Sequence, residues 1–399
     1  MKFLGFVAGF TLFVSLIASE SFALGPGFAG VTANADTAET VVTNPAGMTR
    51  FKKASGYGSP MVVYMKSETK ITETETGRKQ SLSDESVIPA PGFSYIQPID
   101  KKWAIGVGPN AVAGLGASYD NDWLGRYFLK EWSLNFAGIA PSAAYRVNDK
   151  LSVGASIPLM YSMYSLEKAI FNGADTSDGS FELEADGWGA GVNLGILYEP
   201  TKMTRLGLVY RSKVSVSMDG SPDLSGITEE RRHLLNQDVS FDTGTPQVLA
   251  GGIYHEFQND WSFSLDVAWV DFSDFGFEEV EIGDSSIATR PADYNDLWAA
   301  TLGVNYRLSS QITLQSGAFY VSAPMDEEDH TVFMRLDQIW GAGMGFDYRY
   351  GKGKSLSFDL TYVQFGDGRF NVQDVPLAGS IEGAYTTNYA LVFGIGTKW

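Results

Sequence analysis

The feature that most constrains the fold is a two-residue alternation that recurs from about residue 53 to the C-terminus, in runs of about ten residues. In residues 103–108, Trp103, Ile105 and Val107 alternate with Ala104 and two glycines. The same division into large apolar and small or polar positions recurs in residues 188–198, 261–269 and 340–348. A period of two indicates β-strands, because successive side chains of a strand point to opposite faces. These segments are therefore predicted to be strands with one apolar face and one small or polar face.

Composition supports an all-β chain. Glycine accounts for 44 of 399 residues, more than helix-rich domains tolerate, because glycine is costly inside helices. The aromatic content of 13% and the charged content of 19% are opposite to the balance of a disordered chain. After the N-terminus, no apolar run has the roughly 20 residues of a transmembrane helix. The absence of Cys excludes disulfides and thiolate metal sites.

The connections between the strands alternate in length, and this predicts the topology. Short turns are predicted at residues 99–102, 147–150, 199–202, 257–260, 308–311 and 350–354. Long polar loops are predicted near residues 67–88, 113–133, 165–186, 219–242, 274–295, 323–337 and 367–384. Six turns and seven loops connect fourteen strands, which is the plan of an antiparallel transmembrane β-barrel. A soluble β-sandwich or propeller is the alternative, and it would turn its apolar face inward.

The two ends of the chain indicate export to an outer membrane. Lys2, the apolar run 3–18 and Ser21-Phe22-Ala23 are typical of a signal peptide spanning residues 1–23. A transmembrane anchor is the alternative, but the run is too short for one. The last strand carries alternating apolar residues and stops at Trp399. Such an end resembles the signal that the bacterial outer-membrane assembly machinery reads, although a final Trp in place of Phe is a departure. We therefore expect that machinery to be a partner.

The segment before the first strand, residues 24–51, is rich in Gly and Ala and contains Asn44-Pro45-Ala46. Together with Trp123–Tyr127, residues 139–154, Thr245-Pro246 and residues 261–272, it resembles the outer-membrane long-chain fatty acid and hydrocarbon transporter family (FadL/TodX-type). The resemblance implies an all-β, 14-stranded antiparallel barrel over residues 53–399, with an N-terminal hatch over residues 24–52 inside the lumen. It also implies passive diffusion of hydrophobic compounds, captured at extracellular loops and released sideways at a kinked third strand.

The implied hatch and kink involve two short motifs. Gly106, Gly108 and Pro109 lie in the third strand, where Pro cannot donate a ladder hydrogen bond and Gly weakens the strand. A lateral opening at this kink and an ordinary bulge at the barrel rim are both compatible with these residues. In the family, Asn44, Pro45 and Ala46 would occupy the lumen beside the kink. A plain turn is the alternative, because Asn-Pro commonly starts one.

Several residues are candidates for contact with a ligand. Alternation in the seventh strand predicts that Arg211 and Lys213 face the lumen, where they would meet a carboxylate or pair with Asp266, Asp347 or Asp359. Arg126 is another candidate cation, and ordering its own loop is its alternative role. Apolar loop residues mark a contact site or pack on one another; they are Trp123, Leu124, Tyr127, Phe128, Leu129, Leu234 and Leu235.

Net charge and histidine placement exclude several functions. The 29 basic and 47 acidic residues give a charge of −18, which argues against nucleic acid as a partner. Acidic runs at 120–122 and 326–329 are expected to be solvated loops, with divalent ions that bridge to lipopolysaccharide as the alternative. His233, His255 and His330 have no nucleophile at a motif spacing, so neither an enzyme, a cofactor nor a metal is expected.

The sequence thus predicts a monomeric outer-membrane transporter for long-chain fatty acids or other hydrophobic compounds, in contact with outer-membrane lipid and lipopolysaccharide. A general diffusion porin for small polar solutes is the first alternative. A structural or adhesive barrel is the second. A porin would have an open lumen without a hatch, and a structural barrel would lack a continuous apolar path.

Overall fold

A computed structural model describes residues 29–399 except 174–175, 277–279, 283–284, 288–293, 331, 335 and 376–378. The predicted signal peptide, residues 1–23, lies outside the described residues, as do residues 24–28 of the expected hatch. The described chain forms a closed antiparallel barrel of fourteen strands, as the alternation predicts. No helix within the described residues is long and apolar enough to cross a membrane.

The barrel strands are numbered β1 to β14, and six of them consist of two collinear parts. Their bounds are β1 Ser55–Gly58 and Met61–Glu73, β2 Lys79–Ala90 and Phe93–Pro98, β3 Trp103–Ser118, β4 Glu131–Arg146, β5 Leu151–Ser156 and Leu159–Ile170, β6 Gly179–Ala190 and Asn193–Tyr198, β7 Thr204–Arg211 and Val214–Ser225, β8 Val239–Thr245 and Val248–Glu256, β9 Trp261–Val270, β10 Leu297–Arg307, β11 Ile312–Val321, β12 Ile339–Gly351, β13 Lys354–Gln364 and β14 Gly379–Lys398.

Each strand pairs with the next, and β1 closes the barrel on β14 through the register Met61↔Gly394. The loops carry short additional elements: a hairpin of Val280–Ile282 and Ser285–Ile287, a strand Arg369–Val375 beside β14, the helix α2 at Glu229–Leu235, and a 3-10 helix at Glu327–Asp329.

The predicted turns are confirmed, but the predicted first loop is largely strand. Residues 67–73 and 79–88 continue the β1–β2 ladder, and only residues 74–78 turn the chain, with Gly77 at φ +68°. The strands around the third and fourth loops also extend further than predicted. The physical reason is that both faces of a strand can be polar beyond the hydrocarbon layer, so the apolar alternation stops while backbone pairing continues.

The exposed outer face is apolar, and the β-sandwich alternative is therefore wrong. Trp188 is 71% exposed and Met344 is 69% exposed, and apolar neighbours of similar exposure follow around the barrel. Aromatic rings pair across adjacent strands, for example Trp103 with Tyr145 at 4.8 Å between ring centroids. A wide apolar exterior is stable in lipid rather than in water. A closed barrel is also compatible with the bilayer, because it pairs its own backbone groups.

Six strands are interrupted at mid-height by two-residue breaks, at residues 59–60, 91–92, 157–158, 191–192, 212–213 and 246–247. Four of these breaks contain a proline: Pro60, Pro91, Pro158 and Pro246. Pro cannot donate a ladder hydrogen bond, which favours it at such breaks. Two of the breaks also shift the alternation of faces, because the buried positions change from odd numbers to even numbers between Arg211 and Val214 and between Thr245 and Val248.

Residues 29–51, called the inner segment, pack against the face opposite the exposed apolar one. They include the helix α1 at Thr40–Thr43 and a 3-10 helix at Pro45–Arg50. Side chains at the inward positions Gly154, Gly195 and Gly207 would collide with atoms of this segment. These positions therefore have to be glycine for the inner segment to fit.

Candidate functional site

The N-terminal part of the inner segment is held by one buried carboxylate. Asp266, on β9, accepts hydrogen bonds from the backbone N–H of Gly30, from both the N–H (3.2 Å) and the hydroxyl of Thr32, and from the Thr301 hydroxyl (3.3 Å). Asp266 has no measurable exposure. A buried charge needs several good donors to offset the loss of water, and here the inner segment supplies three of the four.

A buried arginine of β7 fixes the next turn of the segment. Arg205 pairs with Asp36 at 3.2 Å and with Glu256 at 2.7 Å, and it donates to the backbone oxygen of Asn34. Its guanidinium also stacks on the Tyr254 ring at 4.2 Å. Arg50, near the end of the segment, pairs with Glu199. Polar contacts thus anchor the inner segment to the strands from β6 to β9, and further hydrogen bonds join it to β4, β5 and β14.

The Asn44-Pro45-Ala46 motif is a helix start rather than a plain turn. The Asn44 side-chain oxygen accepts from the Ala46 N–H at 3.1 Å, and Pro45 occupies the first position of the 3-10 helix, where its missing N–H costs nothing. The Asn44 amide donates to the backbone oxygens of Thr32 (2.6 Å) and Ile196 (3.0 Å). Asn44 thereby joins two parts of the inner segment to β6.

The inner segment reaches the third strand through apolar side chains. A Cβ at Gly106 would lie 2.7 Å from both Met48 Sδ and Val41 Cγ2, and one at Gly108 would lie 2.8 Å from Val42 Cγ1. These contacts are apolar, in contrast to the polar anchors at Asp266 and Arg205. Asn44 and Ala46 instead touch β6 and β5, at Gly195 and Gly154.

The ladder between β2 and β3 ends at the predicted kink. It runs from Pro98↔Ala104 to Tyr95↔Val107 and stops before Gly108 and Pro109. Within the described residues 79–90 of β2 and 108–118 of β3, no further pairing joins the two strands. On its other side, β3 stays paired with β4, with a register shift between Asn110 and Ala113. The backbone of β3 is thus unpaired on one edge above Val107.

The extracellular half of the barrel interior is apolar and rich in aromatic rings. Inward side chains of the strands meet loop residues in one continuous cluster that includes Trp132, Phe136, Tyr164, Phe241 and Met160. Other buried members come from the loops, among them Trp123, Leu129, Phe272, Phe275, Met325, Val332, Met334 and Leu336. We call this cluster the apolar chamber. The periplasmic half differs, because a polar cavity of about 310 Å³ lies there between the inner segment and β8 to β14.

Glu39 of the inner segment faces that polar cavity. Burial raises the pKa of its carboxyl from the ordinary 4.5 to about 7, although hydrogen bonds with Thr37 and Ser59 act in the opposite direction. The negative charge of Asp359, on β13, raises it further. Glu39 therefore takes up a proton more readily than a solvated glutamate would.

The second loop, residues 119–130, folds partly into the chamber. Trp123 is fully buried, donates from its indole to the Leu129 oxygen at 2.6 Å and stacks on Tyr119 at 4.0 Å. Leu124 and Phe128 are also buried. Leu235 of the fourth loop is exposed, and the side chain of Leu234 is outside the described part of the chain.

Arg126 and Tyr127 tie this loop to the third loop. Arg126 pairs with Asp178 at 2.8 Å, and the Tyr127 hydroxyl donates to the same carboxylate at 2.8 Å. Partial burial raises the pKa of Asp178, but these hydrogen bonds together outweigh burial and lower it. The contacts match the loop-ordering role that the sequence left open for Arg126.

Arg211 and Lys213 are not brought together. Arg211 is buried and donates to the backbone oxygens of Val42 (3.0 Å) and Thr43 (3.4 Å). The break at residues 212–213 shifts the alternation, so Val214 is buried and Lys213 lines a small cavity of about 30 Å³ with Asp242 and Asp274. Lys213 lies within this break, so a luminal position for its side chain stays a prediction.

A cation that the sequence analysis missed lies at the rim of the apolar chamber. Lys168, on β5, pairs in register with Phe181, and its ammonium lies 5.3 Å from that ring centroid. It follows Tyr164 and Leu166 at two-residue spacing, and both contact the chamber. Within the described part of the chain, no carboxylate lies within ion-pair distance of Lys168, whereas Lys66 and Lys130 are paired with Glu85 and Glu167. The adjacent acid, Glu167, and its register partner Glu182 lie on the opposite face.

Comparison with known proteins agrees with this architecture. Residues 7–398 match the family described as "Outer membrane protein transport protein (OMPP1/FadL/TodX)". The long-chain fatty acid transport protein of Escherichia coli is 24% identical, over 91% of this chain and 89% of that relative. The crystal structure of a Pseudomonas aeruginosa FadL homologue superimposes with a TM-score of 0.84 at 18% identity, over 98% of this chain and 99% of the homologue. The Pseudomonas putida toluene transporter TodX gives a TM-score of 0.65 at 16% identity, over 90% of this chain and 94% of TodX.

Proposed function

Because the chain belongs to the outer membrane protein transport family (OMPP1/FadL/TodX), we propose that it passes long-chain fatty acids or other hydrophobic compounds inward by passive diffusion. Members of this family are transport proteins rather than enzymes. The chain is a multi-pass outer-membrane protein whose barrel strands cross the bilayer. The route through the barrel, described next, is part of the proposal.

The observation that carries the proposal is the apolar chamber. A diffusion porin for sugars needs a water-filled, polar lumen, whereas this extracellular half is lined by packed aromatic and aliphatic side chains. An apolar solute would lose nothing by leaving water for this interior, while a sugar would lose its hydrogen bonds. The chamber therefore favours hydrophobic cargo over the porin alternative.

Capture is proposed at the extracellular rim, where Lys168 stands above the apolar chamber. A half-buried ammonium without an acidic partner is unfavourable, and a ligand carboxylate would supply the missing charge. The tail of a fatty acid would then extend past Leu166 and Tyr164 into the chamber. Trp123 and Phe128 of the second loop lie in contact with the same apolar cluster and would help to bind the tail.

Exit is proposed through the unpaired edge between β2 and β3. The strands separate above the pair Tyr95↔Val107, so a solute would not have to break ladder hydrogen bonds to pass there. Below this level the inner segment packs against β3, and its contacts with Gly106 and Gly108 are apolar. We infer that the inner segment acts as the hatch and directs the solute sideways instead of into the periplasm.

Uptake of labelled oleate and labelled toluene by proteoliposomes tests the capture step. Lys168→Met should reduce oleate uptake at low oleate concentration about tenfold, a typical loss for one charge-assisted bond, and leave toluene uptake unchanged. Lys66→Met, a cation on the same half of the barrel that is already paired with Glu85, is the matched control. Equal oleate uptake by Lys168→Met and the wild type would refute the capture site.

The exit step is tested by restoring a regular third strand. The variant Pro109→Thr should reduce uptake of both compounds several-fold, whereas Pro141→Thr should not. Pro141 is a suitable control because it lies on β4, which is paired with strands on both sides. If Pro109→Thr takes up both compounds as fast as the control, the lateral route is wrong.

A further inference from the structure

The sixth loop, described over residues 322–338 except 331 and 335, packs into the apolar chamber from its extracellular end. Met325, Val332, Met334 and Leu336 of this loop are buried in the apolar chamber. Its tip is fixed across the mouth by two hydrogen bonds to backbone oxygens, from the Tyr119 hydroxyl to Val332 (3.0 Å) and from the Trp132 indole to Phe333 (3.1 Å). Any ligand that enters from outside has to displace or pass this loop.

A buried histidine joins the two ends of the loop. The ring of His330 is 3% exposed, its Nδ1 lies 3.1 Å from the backbone oxygen of Asp326, and its Nε2 lies 2.9 Å from that of Leu336. Both partners are carbonyl oxygens, which can only accept. A neutral imidazole has one N–H and can donate to only one of them, while an imidazolium donates to both. The geometry is therefore complete only when His330 is protonated.

The surroundings of the ring also suit a positive charge. Asp326, Glu327 and Asp329 belong to its own loop, and Asp367 and Arg369 flank Gly368 in the seventh loop, residues 365–378. Gly368 lies directly against the ring, because a Cβ there would be 2.7 Å from His330 Cδ2. Tyr385 of β14 also lies against Gly368, and Asp337 of the sixth loop lies against Gly366. The charged groups described in these two loops are thus mainly acidic, and Arg369 pairs with Glu327 at 3.8 Å.

We propose that His330 is a pH-sensitive clip that holds the sixth loop over the extracellular mouth when protonated and releases it when neutral. Histidine is the side chain whose charge ordinarily changes between about pH 5 and 8. Loss of the proton turns one of the two ring nitrogens into an acceptor facing a carbonyl oxygen, so one end of the loop is set free. The effect on uptake rests on the proposed transport function, but the loop movement does not.

The loop movement is tested first, by a nitroxide attached at Phe333→Cys. The side chain of Phe333 is 40% exposed, and the chain has no other cysteine. The label should become more mobile as pH rises from 5.5 to 8.5, with the mobile population increasing about fivefold, as expected for the loss of one hydrogen bond. His330→Gln should abolish this pH dependence, and His233→Gln with His255→Gln, which removes the other two histidines, should preserve it. A pH response that survives His330→Gln would overturn the proposal.

Two further measurements keep the test independent of folding and of transport. In the His233→Gln, His255→Gln protein, the single remaining imidazole can be titrated by ¹⁵N NMR; a ring that is neutral throughout pH 5.5–8.5 would overturn the proposal. Toluene uptake, whose substrate does not ionise, should rise with pH in the wild type and stay constant in His330→Gln. If toluene is not taken up at any pH while the label still responds, the transport function fails and the clip stands.

Discussion

The anchor at Asp266 allows a quantitative prediction about the inner segment. Asp266→Asn keeps the shape of the side chain but replaces one acceptor oxygen by an NH₂ group, which must face donors such as the Gly30 or Thr32 N–H. Two hydrogen bonds to a charged acceptor are lost or weakened, at about 1.5–3 kcal/mol each. Part of this is offset because the variant no longer buries a charge. We expect the docked inner segment to lose about 2 kcal/mol, which corresponds to an undocked population about 30-fold larger.

Hydrogen exchange measures this population directly, because the amides of Gly30 and Thr32 exchange only when their bonds to Asp266 open. In the Asp266→Asn protein, peptides covering residues 29–36 should exchange about 30-fold faster than in the wild type, while strand peptides stay protected. Asp347→Asn is the matched control, since Asp347 lines the polar cavity but pairs with Arg349, at 3.6 Å. Unchanged exchange in Asp266→Asn would refute the view that this carboxylate holds the segment.

Three further predictions concern the same interior. Asn44→Ala removes a helix cap and two hydrogen bonds donated to buried oxygens, so the docked inner segment should be destabilised by about 3 kcal/mol. This should be measured as faster hydrogen exchange of residues 40–50. Protection equal to the wild type would contradict the assigned contacts. The pKa of Glu39 is raised from 4.5 to about 7, so its contribution to the docking of the inner segment is complete below pH 4.5 and is lost as pH rises through about 7. Glu39→Gln should flatten this part of the pH profile of hydrogen exchange. A profile identical to the wild type would count against this role of Glu39. Asp178→Asn should destabilise the folded second loop by about 1 kcal/mol, because the ion pair with Arg126 is partly exposed. Limited proteolysis within residues 119–130 should then accelerate less than about tenfold. A larger acceleration would mean that the pair does more than order the loop.

The barrel follows from its sequence because lipid and lumen impose opposite demands on neighbouring residues. Trp103, Ile105 and Val107 are exposed on the outer face, as their alternation with small residues predicts. Gly106 and Gly108 lie on the inner face, against the inner segment. The same reasoning failed for residues 67–88, since above the membrane neither face of β1 and β2 is required to be apolar. Hydrophobic pattern therefore locates the membrane-embedded part of each strand better than its true end.

The contacts inside the barrel were harder to foresee. Arg211 and Asp266 were candidates to pair with each other, yet each binds backbone groups of the inner segment, which no periodicity relates to β7 or β9. The break at residues 212–213 shifts the alternation after Arg211, so counting from Arg211 does not assign a face to Lys213. Lys168 had a signal in its two-residue spacing from Leu166 and Tyr164, but the sequence analysis placed it in the long polar loop of residues 165–186.

His330 illustrates a different limit. In sequence it is one of three loop histidines without a nucleophile nearby, which argues correctly against catalysis but says nothing of burial. Its burial arises from the packing of the sixth loop on Gly368 and the chamber, a contact between loops that are remote from each other along the chain. Only the structure shows that both ring nitrogens meet carbonyl oxygens.

The central claim is that the apolar chamber admits hydrophobic molecules and excludes small polar ones. It is tested most directly by measuring labelled oleate, toluene and sucrose uptake in parallel into liposomes that contain the wild-type protein, each relative to protein-free liposomes. We predict accelerated entry of oleate or toluene and no accelerated entry of sucrose. Sucrose entry that exceeds the protein-free rate, without faster uptake of either hydrophobic compound, would contradict the account and would favour the porin.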